Sequence, residues 1–439
     1  MRFLKFTTCL ILILSTFQFS FAQGNNNPFE EENPWPEIRK QRIAELLPSA
    51  MKAAEVDAWV VVCRENNNDP IAAHVGGENA GGTAVFLFYQ DGGKVTSKVF
   101  SPIGEATALA DLKIHDEVIP IGRTESAMSA AASYIKDRGF KTVAVNSSKD
   151  NEMADGLSYT QRKAFEQELG ELASILVSSE GLIYEWLSVK LPQEVEIMRK
   201  AAQLTADWQV EAYEQVVPGK STDADIAKFL KNKIAEFGFK DGWHPDQNPN
   251  VNSGPDRGHS HATDKVIMPG DVIQIDFGIR VHDMWVTDIQ RFAYVLREGE
   301  TTAPDSVLQY WENSKQGSRI ALAAMRPGST GYDVDKAQRE FMKEKGSEYV
   351  MWSTGHPVGY VAHDVGPNLG GAQLDEPRPS SLKELKEGMT FAFDGFFTWK
   401  LPDGNEKTMS VEEMAVITAD GAEYLIEPQE ELILIPNRN

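Results

Sequence analysis

The sequence predicts two units in succession, an α/β domain over residues 36–188 and an α+β catalytic domain over 189–439. Three observations carry that expectation. In the first unit, short apolar runs alternate with helical patterns, as in a sheet layered with helices. At the junction, Pro192 opens a long amphipathic helix. In the second unit, two strand patterns that each carry an aspartate lie among capped helices.

The elements follow in order. Met1, Arg2 and Lys5 precede an apolar run from Leu10 to Phe21, and Ser20-Phe21-Ala22 places small residues at the −3 and −1 positions. That is the pattern of a secretory signal peptide over 1–22 cleaved after Ala22, so a secreted or periplasmic protein is expected. The run is too short for a membrane span, which needs roughly 20 residues. No later stretch is long and apolar enough either, so no membrane partner is expected. Residues 23–35 are polar and proline-punctuated and read as a flexible lead-in.

A helix is expected over 37–56, with Ile38, Ile43, Leu47 and Met51 near one face. Strands are expected at 57–62 (DAWVVV), 83–89 (TAVFLFY), 95–100 (VTSKVF) and 141–146 (KTVAVN), with a helix over 126–139 closing on a glycine. The glycines of 76–83 precede a strand instead of joining a strand to a helix, so they form a loop and no phosphate cradle. Beyond Pro192, Ser221-Thr222 caps a second helix that Gly238 terminates, and a third helical pattern spans 333–346. No internal repeat is evident.

The formal charge of −22 argues against nucleic acid and anionic membranes as partners. Of two cysteines, Cys9 leaves with the signal and Cys63 ends an apolar strand, where it reads as buried filler. One remaining cysteine cannot make an internal disulfide, and no thiol chemistry is indicated.

The chemistry concentrates in the second unit. In VIQIDFG (272–278), alternation puts Gln274 and Asp276 on one face, and WVTDIQRFAYVL (285–296) brings Asp288 on a returning strand. His282 and Asp283 fall in the connecting loop and read as exposed turn residues. His356 and His363 follow in TGHPVGYVAHDVG (354–366), where Gly355, Pro357 and Gly359 rule out a helix. Asp394 lies in EGMTFAFDGFF (387–397) and Glu412 in SVEEMAVIT (410–418). Four carboxylates and an imidazole make the oxygen-rich donor set that a pair of hard or borderline divalent ions requires.

In order and flanks this set resembles the pita-bread metallopeptidases, which include methionine aminopeptidase, prolidase, aminopeptidase P and the metal-free creatinase. The resemblance covers nearly all of the mature chain. It implies a creatinase/prolidase-like N-terminal domain before a pita-bread catalytic domain. It further implies that Asp276, Asp288, His356, Asp394 and Glu412 hold two divalent metal ions, with Mn²⁺ favoured and Zn²⁺, Co²⁺ or Fe²⁺ as alternatives. His259 then matches the histidine that helps bind the peptide carbonyl, with His261 as the fallback. His363 matches the group that assists the leaving amine, and Asp394 the carboxylate that takes the proton from a metal-bridging hydroxide's parent water. The implied function is a metal-dependent Xaa-Pro aminopeptidase or dipeptidase acting on a peptide or small amide, in a homodimer.

Departures from the family pattern are a separation of Asp276 from Asp288 one residue longer, Glu413 in place of Asp, and three further positions. Asp394 stands where the family has Glu followed by Pro-Gly. Trp352 stands in place of a histidine four residues before His356, and Ser410 in place of the arginine before Glu412. These leave two alternatives open: a non-peptidase hydrolase or lyase on the same fold with an altered or partial metal site, and a non-catalytic binding protein.

Overall fold

A computed structural model of the chain describes residues 27–257 and 261–437. The expected signal peptide and His259 lie outside the described residues.

The first sheet has six strands: β1 (Ala58–Cys63), β2 (Ala84–Asp91), β3 (Lys94–Pro102), β4 (Glu117–Ile121), β5 (Val143–Val145) and β6 (Leu176–Ser178), in the order β4-β3-β2-β1-β5-β6. It is mixed: β1, β2 and β3 pair antiparallel, and β4, β5 and β6 join parallel. The central strand is buried at every position, so both sheet faces are covered. Helices α1 (Trp35–Gln41), α2 (Leu47–Ala53), α3 (Ala72–Val75), α4 (Ala106–Asp111), α5 (Ala127–Arg138), α6 (Tyr159–Leu169) and α7 (Glu180–Leu187) complete this part. On one face Trp59 and Val61 pack with Leu47, Met51 and Trp186; on the other, Val60 and Val62 pack with Ile135 and Phe165.

The helix expected over 37–56 is interrupted by a π-helical turn at Arg42–Leu46. Pro48 lacks the amide hydrogen that an unbroken helix would use there, and the backbone widens just before it. The lead-in is anchored in part: Phe29 meets Phe239 and His282 edge-on at 5.6 and 5.4 Å.

The second part begins with α8 (Pro192–Glu214), opened by Pro192 and by Glu194 accepting from the Leu191 amide at 2.9 Å, and α9 (Asp223–Phe237), opened by a reciprocal Thr222–Asp225 cap. A small ribbon of β7 (Lys240–Asp241), β10 (Ile279–Val281) and β11 (Trp285–Val286) lies beside a four-stranded sheet. That sheet comprises β8 (Asn250–Ser253), β9 (Val272–Phe277), β12 (Ile289–Val295) and β17 (Ile433–Ile435), ordered β17-β12-β9-β8. A second, antiparallel sheet holds β13 (Gly355–Pro357), β14 (Thr390–Lys400), β15 (Glu406–Thr418) and β16 (Gly421–Tyr424).

Each sheet is backed by a long helix that bonds to its strand carbonyls. From α8, Gln209 Nε2 donates to the carbonyls of Ile275 (3.1 Å) and Ile289 (2.8 Å), and Tyr213 Oη to that of Arg291 (2.6 Å). Behind the second sheet runs α10 (Asp305–Ala324), followed by α11 (Gly331–Glu344). Ser314 on α10 donates to the carbonyl of Gly395, and a Cβ built on Gly395 would lie 2.1 Å from the Ser314 carbonyl oxygen. Glycine is therefore required immediately after Asp394, because helix and strand backbones touch there.

The two parts are joined by a buried ionic cluster. Arg42 Nη1 donates to Glu194 (2.6 Å), whose other oxygen accepts from Tyr360 Oη at 2.6 Å and Trp285 Nε1 at 3.2 Å. Lys190 Nζ pairs with Asp364 at 3.1 Å, both side chains being inaccessible. Tyr360 and Asp364 lie between and beside the two expected site histidines, so the first part of the chain pins the loop that carries them.

Candidate active site

Strand register brings the candidate residues together from two sheets. On the second sheet Asp394 pairs directly across from Glu412, and His356 across from Ala392, so all three project from one face. On the first, Asp276 lies opposite Gln290, and Asp288 immediately precedes β12. The faces meet: His356 Nε2 is 3.7 Å from Asp288 Oδ2 and 3.6 Å from Glu412 Oε1. Ligand atoms of Asp288, His356 and Glu412 lie within 4.8 Å of one another. Asp276, Asp394 and His363 line the same cleft, of about 1010 Å³.

Electrostatics single out two of the carboxyls. Burial, reinforced by the charges of Glu412, Asp276 and Asp394, pushes Asp288 well above the usual carboxylate range. Burial, then Glu412 and Asp276, does the same to Asp394. Four acids share one buried space, and neighbouring negative charges cannot all persist there without positive charge. Asp394 Oδ1 is buried and has no hydrogen-bond partner among the described residues. Clustered oxygen donors, one imidazole and an orphaned carboxyl oxygen fit divalent cations, and Asp276, Asp288, His356, Asp394 and Glu412 are the residues that would hold them.

Around this set lies a supporting residue that the sequence alone does not single out, Gln290. Gln290 Nε2 donates to Glu412 Oε2 at 2.9 Å, and Ser410 Oγ donates to Gln290 Oε1 at 2.8 Å. The period of the strand places Gln290 on the Asp288 face, which was the available signal. Glu413, on the opposite face, is no ligand candidate: it pairs with buried Arg291 at 3.0 Å and accepts from the amide of Gln429 at 2.8 Å.

The remaining candidates are also placed. The His363 ring lies on that of His356, with centroids 4.2 Å apart, and is exposed toward the cleft. Trp352 lines the cleft and meets Phe396 edge-on at 6.4 Å. His261 is exposed. Asp283 is exposed and pairs with Lys240 at 2.8 Å, but His282 is half-buried against Phe29 and Trp285, which the sequence reading took for an exposed turn residue. The apolar neighbours of a tight turn drew it in. Cys63 is buried, as expected.

Residues 196–419 match metallopeptidase family M24. The chain belongs to that family. It is 29% identical over 252 residues to a probable dipeptidase PepE of Mycobacterium tuberculosis, covering 56% of this chain and 61% of that protein. It is 28% identical over 254 residues to an Xaa-Pro dipeptidase of Pyrococcus furiosus, covering 56% of this chain and 65% of that one. The match thus spans less than two thirds of these relatives' length. The crystal structure of dipeptidase PepE from Mycobacterium ulcerans superposes with a TM-score of 0.69 over 91% of this chain and 99% of that chain, at 19% identity. The fold of this M24 chain is accordingly an α/β N-terminal domain followed by an α+β pita-bread domain.

Proposed function

We propose that this protein is a metal-dependent exopeptidase that hydrolyses the N-terminal peptide bond of an Xaa-Pro type substrate. The observation that carries the reading is the meeting of Asp276, Asp288, His356, Asp394 and Glu412 from two sheets at the floor of one cleft. When bound, two divalent ions, Mn²⁺ favoured, supply Lewis-acid polarisation of a carbonyl and acidification of water. The chain's own groups do the rest. Gln290 fixes Glu412 by holding its Oε2, which turns Oε1 toward His356. Asp394 is the carboxyl that takes and returns a proton at Oδ1, the atom no protein donor engages among the described residues. His363, exposed beside His356, assists departure of the amine, and His259 is assigned to the carbonyl oxygen.

The reading extends to a protein exported after cleavage at Ala22 and assembled as a homodimer. Among the described residues no helix is long and apolar enough to cross a membrane. The deciding experiment is elemental analysis of purified protein dialysed against trace Mn²⁺, paired with an Ala-Pro peptide assay. Close to two ions per chain with hydrolysis supports the reading. One ion or none, without hydrolysis, moves it to the altered-hydrolase or binding alternatives.

A further inference from the structure

The two oxygens of Glu412 are committed in different ways. Oε1 is turned to the His356 ring, 3.6 Å from Nε2, while Oε2 accepts the amide hydrogen of Gln290 at 2.9 Å. Gln290 and Glu412 both line the cleft, so this neutral amide sits inside the space where the acids gather.

The amide of Gln290 is held in one orientation. Its Oε1 accepts from Ser410 Oγ at 2.8 Å and from Gln274 Nε2. With nitrogen and oxygen exchanged, an N–H would face the N–H of Gln274, and an oxygen would face the Glu412 carboxylate. Gln274, Gln290 and Ser410 are all buried and come from β9, β12 and β15, so both sheets fix the arrangement. Ser410, one of the departures from the family pattern, is thereby tied to the site.

The consequence is electrostatic. An amide hydrogen offsets the negative charge of the oxygen it binds, and a cation on that oxygen has to oppose it. A hydrogen bond to a charged acceptor is worth roughly 10- to 100-fold in an equilibrium constant. Asp288, His356 and Glu412 already converge, with ligand atoms within 4.8 Å of one another, and Asp276 and Asp394 stand outside that group. Glu412 can serve it through Oε1 alone. A second cation in the same space either takes Oε2 from Gln290 or does without it.

We propose that Gln290 is the positioning residue that limits this site to one tightly held divalent ion, by claiming the Glu412 oxygen that a second ion would need. This rests on the metal-dependent reading above and deepens it. In the elemental analysis already described, one ion per chain together with Ala-Pro hydrolysis is the outcome it predicts.

The test titrates Mn²⁺ into the chelator-treated full chain and reads free Mn²⁺ by its paramagnetic resonance signal. The wild type should take one ion tightly and a second at least about 10- to 100-fold more weakly. Gln290→Ala should tighten the second step about tenfold or more and leave the first nearly unchanged. Ser410→Ala, which lets the Gln290 amide turn, should move the second step the same way by less. Gln290→Met, which keeps the length and removes the donor, serves if the melting temperature of the metal-free alanine variant shows that it does not fold. An unchanged second step in the Gln290 variant overturns the inference, as does a weakened first step, which would make Gln290 a plain support of Glu412. Two equal steps in the wild type, or no binding at all, overturn it too. No substrate enters the titration, so failure to cleave Ala-Pro counts against the exopeptidase reading alone.

Discussion

Replacing Gly395 by alanine tests whether the long helix behind the second sheet sets the position of Asp394. The added Cβ would lie 2.1 Å from the Ser314 carbonyl oxygen and 2.3 Å from the Ser318 amide nitrogen. Ordinary contacts begin near 3.5 Å, so helix and strand must separate by more than an ångström. Both obstructing atoms are backbone, so no side-chain rotation relieves the clash. Overpacking of this kind costs about 1–3 kcal/mol. The functional effect should be larger, because Asp394 moves with its neighbour, and a 1 Å misplacement near reacting groups costs on the order of 100-fold in rate. The natural control is Gly421→Ala on β16 of the same sheet, where the nearest atom is 3.9 Å away. Melting temperature and Mn²⁺ affinity by calorimetry should both fall for Gly395→Ala and barely change for Gly421→Ala. Equal behaviour of the two variants would refute the claim that close backbone approach holds Asp394 in place.

Three further outcomes are expected. Asp288→Asn should lower bound Mn²⁺ per chain and remove activity together, and undiminished metal content by elemental analysis would contradict its place among the ligands. Asp288 and Asp394 have raised pKa values in the metal-free fold, so the folded state binds more protons than the unfolded chain above the ordinary value of 3.8. Their contribution to stability is complete below that value and is lost as pH rises. The gain in melting temperature on adding Mn²⁺ to chelator-treated protein should therefore grow as pH rises above that value, where carboxylates must otherwise ionise side by side; a constant gain argues against it. Arg42→Met should strip Glu194 of its buried counter-charge and cost about 3–5 kcal/mol, read as a fall in urea midpoint. Adding Glu194→Gln should restore part of that loss, and simple additivity would show that the two charges are not coupled.

Much of this molecule was legible because its local signals agree with its global fold. Pro192, Thr222 and Gly238 bound their helices where capping chemistry placed them, and period-2 alternation put Gln274 and Asp276 on the site face. The misses share a physical cause. The helix over Asp305–Ala324 buries Asn313, Ser314, Gly317 and Ser318 alongside Trp311 and Ala321, so small and polar residues break up the apolar stripe on the face that packs. The strand at Glu117–Ile121 contains Pro120, which would break a central strand but is tolerated here at the sheet edge. At the site, the ordered acids and histidines were readable from spacing and flanks. The Arg42–Glu194 pair was not, since its members lie 152 residues apart along the chain, and Gln290 shows only its strand face there, its partner Glu412 lying 122 residues on.

That separation has a consequence for how the chain comes into being. Arg42 leaves the ribosome early, Glu194 much later, and Tyr360 and Asp364 near the end. At 5–20 residues per second, roughly 15–60 s pass between the synthesis of Arg42 and that of Asp364. Throughout that interval the nascent N-terminal sheet carries Arg42 without the full set of groups that neutralise and enclose it. The loop bearing His356 and His363 is thus a late-arriving keystone. Its insertion completes the ionic joint, while the cleft waits for the later strands that bring Asp394 and Glu412.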